Sequence, residues 1–311
     1  MIGAQGTDGG AIYIEDGSTL SVSDSHFERN MASVSGGAIY ASYSDTIKIS
    51  NCEFIMNKAL SLGSHIFIAY VNIATEVSIE NTKFKQQSIM NNALYFKRSK
   101  ANLQNLALYP PERRVLDSMQ LLISYGQGIY CDECLKFTLS DSWIGSYMSS
   151  IGGAIAIVTQ PFIKENYNNS LHLGINLLNS RFESNLASSK GGALYLENPA
   201  KAVIDGCTFR GNQASSSSVE KSLKGYKPPK SDEEPGTRGA DTETGSGGAI
   251  YYVCDPLTNG TLDCELKITS TSFQQNQALV KGGAIHNVNI EPRINWQNVR
   301  LSGNQAGRYG N

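Results

Sequence analysis

Six cysteines and four histidines are the residues of this 311-residue chain best equipped for chemistry. Cys131 and Cys134 form a C-x-x-C within "GIYCDECLKF", a spacing used by redox dithiols and by half of a zinc site. Redox use wants a helix N-terminus after the first cysteine, and the flanking residues predict none. A lone pair also gives zinc too few ligands. Cys254 and Cys264 bracket a longer loop in "IYYVCDPLTNGTLDCELKI". Both pairs are therefore expected as disulfides, which form and persist in oxidising compartments. His26, His65, His172 and His286 have no mutual spacing that suggests a ligand set, and they read as surface residues. Polysaccharide cleavage needs carboxylates clustered within a few ångströms. The candidates Asp24 and Asp141 are too far apart for that. With no nucleophile-and-base constellation and no phosphate loop, the chain is expected not to be an enzyme and to need no cofactor or metal. Asn168 and Asn259 open N-x-[ST] triplets, acceptor sites for N-glycans in a secreted eukaryotic protein.

The elements that must position these residues come from a repeat. Paired glycines, or degenerate versions of them, begin at Gly9, Gly36, Gly63, Asn91, Gly126, Gly152, Gly191, Gly247 and Gly282. After each stands an alternating stretch such as Ile12 and Ile14, or Leu194 and Leu196, and then a second, such as Ile47 and Ile49. Period-two alternation is the mark of a strand. An Asx, Gly or Ser follows, then a small residue, one free position and a large apolar residue. Phe27, Phe54, Phe182, Phe209 and Phe273 fill the large position. Asn30, Asn57, Asn185, Asn212 and Asn276 stand three residues further on. Cys52 and Cys207 share the small position but lie five coils apart, roughly 24 Å, too far to bridge. They are expected as free buried thiols.

No helical period appears. The expected fold is all-β: a right-handed parallel β-helix of about nine coils, with three short strands per coil and loops inserted at corners. Coils would stack at about 4.8 Å, with Phe over Phe and Asn over Asn in a buried amide ladder. Glycine pairs would supply backbone angles that side chains forbid.

The alternation of G-G-A-[IL] with F-x-x-N, in phase from Asn30 to Gly36, Asn57 to Gly63, Asn185 to Gly191 and Asn276 to Gly282, resembles the repeat of chlamydial polymorphic outer membrane proteins, of the pectin-lyase-like β-helix type. The resemblance implies a surface-exposed β-helical stalk used in adhesion or in building a coat. Two departures stand out. No C-terminal β-barrel is present, and the fourth and fifth units are degenerate ("NNALYF", "GQGIY", and "LYPP" in place of F-x-x-N), so distorted coils are expected there.

Residues 1–311 read as one β-helix domain, a segment of a longer array, with 215–246 an inserted low-complexity loop of disorder-like composition. A net charge of -2 leaves no footprint for nucleic acid. Short apolar runs exclude membrane insertion by this segment. The position after the G-G-A aliphatic carries Tyr13, Tyr40, Phe67, Tyr95, Tyr130, Tyr195 and Tyr251. Alternation points this stripe outward, as sheet reinforcement or as a contact strip for a glycan or a second protein.

The expected function is a non-catalytic, extracellular or cell-surface structural or adhesive segment. Its partners would be further repeats of the same polypeptide or identical copies end to end. The alternatives are a carbohydrate-binding or polysaccharide-degrading β-helix, and a protomer of a homopolymeric fibre.

Overall fold

Each repeat lays down a strand after its glycine pair, turns, lays down a second alternating strand, turns at an Asx residue and adds a third strand around its large apolar residue. The computed structural model describes every residue except 73, 75, 87–90, 111–124, 160–173, 200, 216–243, 255–263, 289–292 and 308–311. In it these strands stack repeat upon repeat as three parallel sheets of nine strands. The first face runs from Ile12–Ile14 to Ile285–Asn287, the second from Thr19–Ser23 to Arg293–Gln297, and the third from His26–Glu28 to Arg300–Ser302. Register follows the sequence pattern: Ile39 pairs with Ile12 and Ile66, and Phe54 with Phe27 and Phe84. The chain is a right-handed parallel β-helix.

The three expected strands per coil are joined in most coils by a shorter fourth. A fourth face carries two-residue strands such as Met31–Ala32 and Lys58–Ala59 in a three-stranded sheet. A five-stranded one runs from Met148–Ile151 to Gln305–Ala306. The backbone three residues after the large apolar one is held by the neighbouring coil, and the residues that follow fall into extended pairing whether that position is Asn30 or Tyr147: Met31 N donates to Ala4 O at 2.8 Å, Lys58 N to Asn30 O at 2.9 Å and Leu186 N to Tyr147 O at 2.8 Å.

Inside, the phenylalanines point inward in register. Phe54, Phe182, Phe209 and Phe273 are fully buried, and Phe27 nearly so. Their rings stack in two runs: Phe27, Phe54 and Phe84 at 4.7 and 5.1 Å, and Phe182, Phe209 and Phe273 at 4.7 and 5.0 Å. Leu108 and Ile144 fill the two degenerate coils between, equally buried. Those coils are not distorted in the three main sheets, where Leu108 still pairs with Phe84 and Ile144.

The glycine pairs divide their work. The first member is left-handed, with φ of 68° at Gly36 and 64° at Gly152. The second is needed for closeness: a Cβ on Gly153 would sit 2.0 Å from the carbonyl oxygen of Gly192 one coil away. Backbone angle therefore explains half of each pair, and contact between coils explains the other half.

Candidate functional site

The asparagines form the most regular polar feature of the interior. Asn212 Oδ1 accepts from both the backbone N and the Nδ2 of Asn185, each at 3.0 Å. Asn212 Nδ2 donates to Phe182 O at 2.9 Å and to Asn276 Oδ1 at 2.9 Å. Asn57 repeats the arrangement beneath Asn30. Every lone pair and proton of the amide that faces the core is used, so this ladder is structural. It is not continuous. Tyr147 takes the asparagine position of the fifth coil, its backbone N on Asn185 Oδ1 at 3.0 Å and its hydroxyl donating to Tyr109 O at 3.2 Å.

His65 departs from the surface reading. It fills the alanine slot of its repeat and is fully buried. Its ring lies 6.2 and 5.7 Å from those of Phe54 and Phe84, with Nδ1 3.1 Å from Asn57 Nδ2. Burial among aromatic rings lowers its pKa to about 3. The coil that lacks the next asparagine thus ends the upper ladder on an imidazole. His26 is outside, bridging Glu28 at 3.2 Å and Glu53 at 3.3 Å, with Arg29 on the far side of Glu28. His172 lies outside the described residues, and His286 is half-buried. Among the described residues no group of three metal-ligating side chains forms.

The structure joins Cys131 to Cys134 and Cys254 to Cys264, with Cα atoms 5.5 and 6.3 Å apart. Cys131 is itself a core residue, paired with Phe96 and Ile157. Cys52 and Cys207 are buried and unbridged. Burial pushes both thiols up, Cys207 to about 12. Asn168, Asn259 and most of 215–246 lie outside the described residues.

The aromatic stripe exists as a ladder but is not an open strip along its length. Tyr13, Tyr40, Phe67 and Tyr95 stack at 4.9 to 5.1 Å with interplanar angles of 2° to 13°. Exposure drops from 51% at Tyr13 to 4% at Tyr95 and 1% at Tyr251, which corrects the outward-facing expectation for the later coils. The cover comes from the preceding corner. Tyr125 stacks on Tyr130 at 5.3 Å and meets Tyr195 edge-on at 6.1 Å, while the Lys190 ammonium sits 5.0 Å over the Tyr251 ring. Burial, together with Asp132 and Glu197 respectively, pushes the Tyr95 and Tyr195 hydroxyls above the usual phenol range. In the open part each ring gives a face to its neighbour, and it is mostly edges that remain.

A different aromatic stands free on the third face. Trp143 and Gly145 lie two residues apart in one strand, on the same outward side. A Cβ on Gly145 would meet the Trp143 ring atoms Cζ2, Cη2 and Cε2 at 2.4, 2.8 and 3.1 Å, so the indole lies across the glycine. One edge donates from Nε1 to Glu183 Oε2 at 3.1 Å, and Tyr109 packs 5.0 Å away at 41°. Trp143 is half-buried, so with glycine below and partners at the rim part of the ring stays open to solvent. Along the chain Trp143 stands among ordinary surface residues, with no linear motif to mark it. The signal that would have found it is the glycine two residues on.

Comparison with known families agrees with this geometry. Residues 4–106 match the right-handed β-helix region family, and residues 179–197, 206–252 and 270–288 match the Chlamydia polymorphic membrane protein repeat. The first match ends inside the degenerate fourth unit, and the others begin beyond the fifth. No curated protein and no solved structure matches the chain.

Proposed function

We propose that this chain, a right-handed β-helix carrying polymorphic membrane protein repeats, serves as a surface-exposed, non-catalytic rod. Its work is to hold side chains at fixed spacing away from a cell and to pair with more of its own kind. The observation that carries this reading is the unbroken register of three nine-stranded parallel sheets over one continuous core. Such an object is stiff along its axis, because every coil is bonded to the next on several faces. The repeat family's name associates these sequences with membrane proteins, and the two disulfides favour an oxidising location. Partners in this reading are further coils of the same polypeptide or an identical copy, since among the described residues the rod packs coil on coil. The non-catalytic part rests on the outer faces. Carboxylates that come together are taken up in ion pairs: Glu28 and Glu53 with His26 and Arg29, and Asp132 and Glu133 with Lys97 and Arg98.

Labelling intact cells that make the protein with a membrane-impermeant amine reagent tests the reading. Modification of exposed lysines such as Lys83 before lysis is the expected result. Labelling that appears only after lysis overturns it.

A further inference from the structure

On the third face the register sets outward side chains in rows, and the rows around Trp143 are unlike the rest. Lys83, Ala107, Trp143 and Arg181 follow one another coil by coil, with Thr208 next. The neighbouring row carries Lys85 beside Tyr109, and Gly145 beside Glu183 and Arg210. Four cations thus surround Glu183 and two aromatic rings, with Glu53 next to Lys83 at the end of the row. Among the described residues Lys83, Arg181 and Arg210 have no carboxylate partner, and all three are exposed. Glu183 is the exception, and it holds the indole edge.

From this arrangement we infer that the outer face of coils three to seven binds an acidic polysaccharide, with one sugar ring stacked on Trp143. The flat indole, fixed from below by Gly145 and at its rim by Tyr109 and Glu183, offers the rigid apolar platform on which the C–H face of a pyranose packs. Guanidinium and ammonium groups on both sides along the rod axis meet the carboxylates or sulfates of the neighbouring sugars, where Arg181 and Arg210 can pair in a bidentate manner. From Lys83 to Arg210 is four coil steps, about 19 Å, the length of a short oligosaccharide. Nucleic acid fits less well: single strands use successive stacking platforms in a basic groove, and this open face has two adjacent tilted rings, Trp143 and Tyr109, on a chain of net charge -2. The site needs only this sheet face and does not depend on the rod being at a cell surface. A failure of the cell-labelling experiment therefore leaves it untouched.

The test is titration of the intact chain with size-defined acidic hexasaccharides (uronate-rich, sulfated and sialylated), followed by calorimetry and by tryptophan emission. At least one is expected to bind with salt-sensitive affinity and to shift the emission. Trp143→Ala should weaken that binding about tenfold or more, the usual consequence of losing an aromatic anchor. Arg181→Gln, on the exposed surface, should weaken it several-fold. Gly145→Ala removes no contacting group but lifts the indole, and should weaken it comparably to Trp143→Ala. Unfolding midpoints of Arg181→Gln and Gly145→Ala check that the fold persists. The proposal is overturned if no hexasaccharide binds, or if Trp143→Ala binds as the parent does. It is equally overturned if a carboxyl-reduced, desulfated hexasaccharide or a polyglutamate peptide binds as tightly, the last result assigning the face to acidic proteins.

Discussion

Replacing Asn212 with alanine isolates the energy of one ladder rung. Asn212 is fully buried. Its removal orphans the Asn185 backbone N–H, which has Asn212 Oδ1 as its acceptor at 3.0 Å, and takes away the donor to Phe182 O. Asn185 Nδ2 keeps Ile144 O at 3.2 Å, and Asn276 Oδ1 keeps the Asn212 backbone N at 3.0 Å, so those groups stay satisfied. The Phe182 carbonyl keeps its place in the parallel ladder with Arg210, so one backbone group, the Asn185 N–H, is left unpaired in the interior. At about 1–3 kcal/mol for an unsatisfied buried group, plus the lost second bond to Phe182 O, the loss should be about 3 kcal/mol. Asn304 makes the same contacts to Asn276 and Phe273 but is half-buried, where water can replace it. Asn304→Ala should therefore cost about 1 kcal/mol. Denaturant titration gives the two values, and amide hydrogen exchange at Asn185 reads the local effect. Equal losses from the two variants, or an Asn185 amide as protected in Asn212→Ala as in the parent, would refute the reasoning.

Three further outcomes follow from the same geometry. The folded-state pKa of His65 lies well below the ordinary value near 6.5, at about 3, so the unfolded chain takes up a proton that the folded chain refuses. Stability is at its plateau above pH 6.5 and should fall by about 1.4 kcal/mol per unit as pH drops through the window to 3. Denaturation midpoints at pH 7 and pH 5, compared between the parent and His65→Leu, check this, and an identical pH dependence in both refutes it. Gly153→Ala forces a Cβ to within 2.0 Å of the Gly192 carbonyl oxygen and should cost about 3 kcal/mol, against about 1 kcal/mol for Gly211→Ala, where the nearest atom is 3.7 Å away. Thermal midpoints of the two variants would rank them. Reducing Cys254–Cys264 releases a short loop and should lower stability by about 2–3 kcal/mol; an unchanged unfolding midpoint in reductant contradicts this.

The coil was legible because its repeat is a physical necessity. Phe54 must sit over Phe27 and Asn57 over Asn30, since a stack at one strand spacing admits only like over like, so the spacing of those residues carries the fold. What the repeat could not show is what breaks it. His65 reads as a surface histidine only while its slot is ignored; in the register it stands where Ala38 and Ala154 stand, and that position faces the core. The aromatic stripe failed for a related reason. Alternation gives the direction of Tyr195 and Tyr251 relative to their own strand, but their cover comes from Tyr125 at a corner and from Lys190 at the end of the fourth-face strand Leu186–Lys190.

Trp143 shows how much more a solenoid sequence contains once register is known. Tyr109, Trp143 and Glu183 are 34 and 40 residues apart in the chain, and no linear motif connects them. In the stack they occupy consecutive coils, because each coil converts its whole length, inserts included, into one step of about 4.8 Å. The outward residues can then be read across coils as rows. A lysine, a small residue, a tryptophan and an arginine in one row, beside a glycine that lets the ring lie down, is a pattern with chemical meaning. The same four residues read along the chain look like ordinary surface. Function on such a scaffold is written across the repeats, and a substitution such as Gly145→Ala, silent for the strand that carries it, acts on groups from three coils at once.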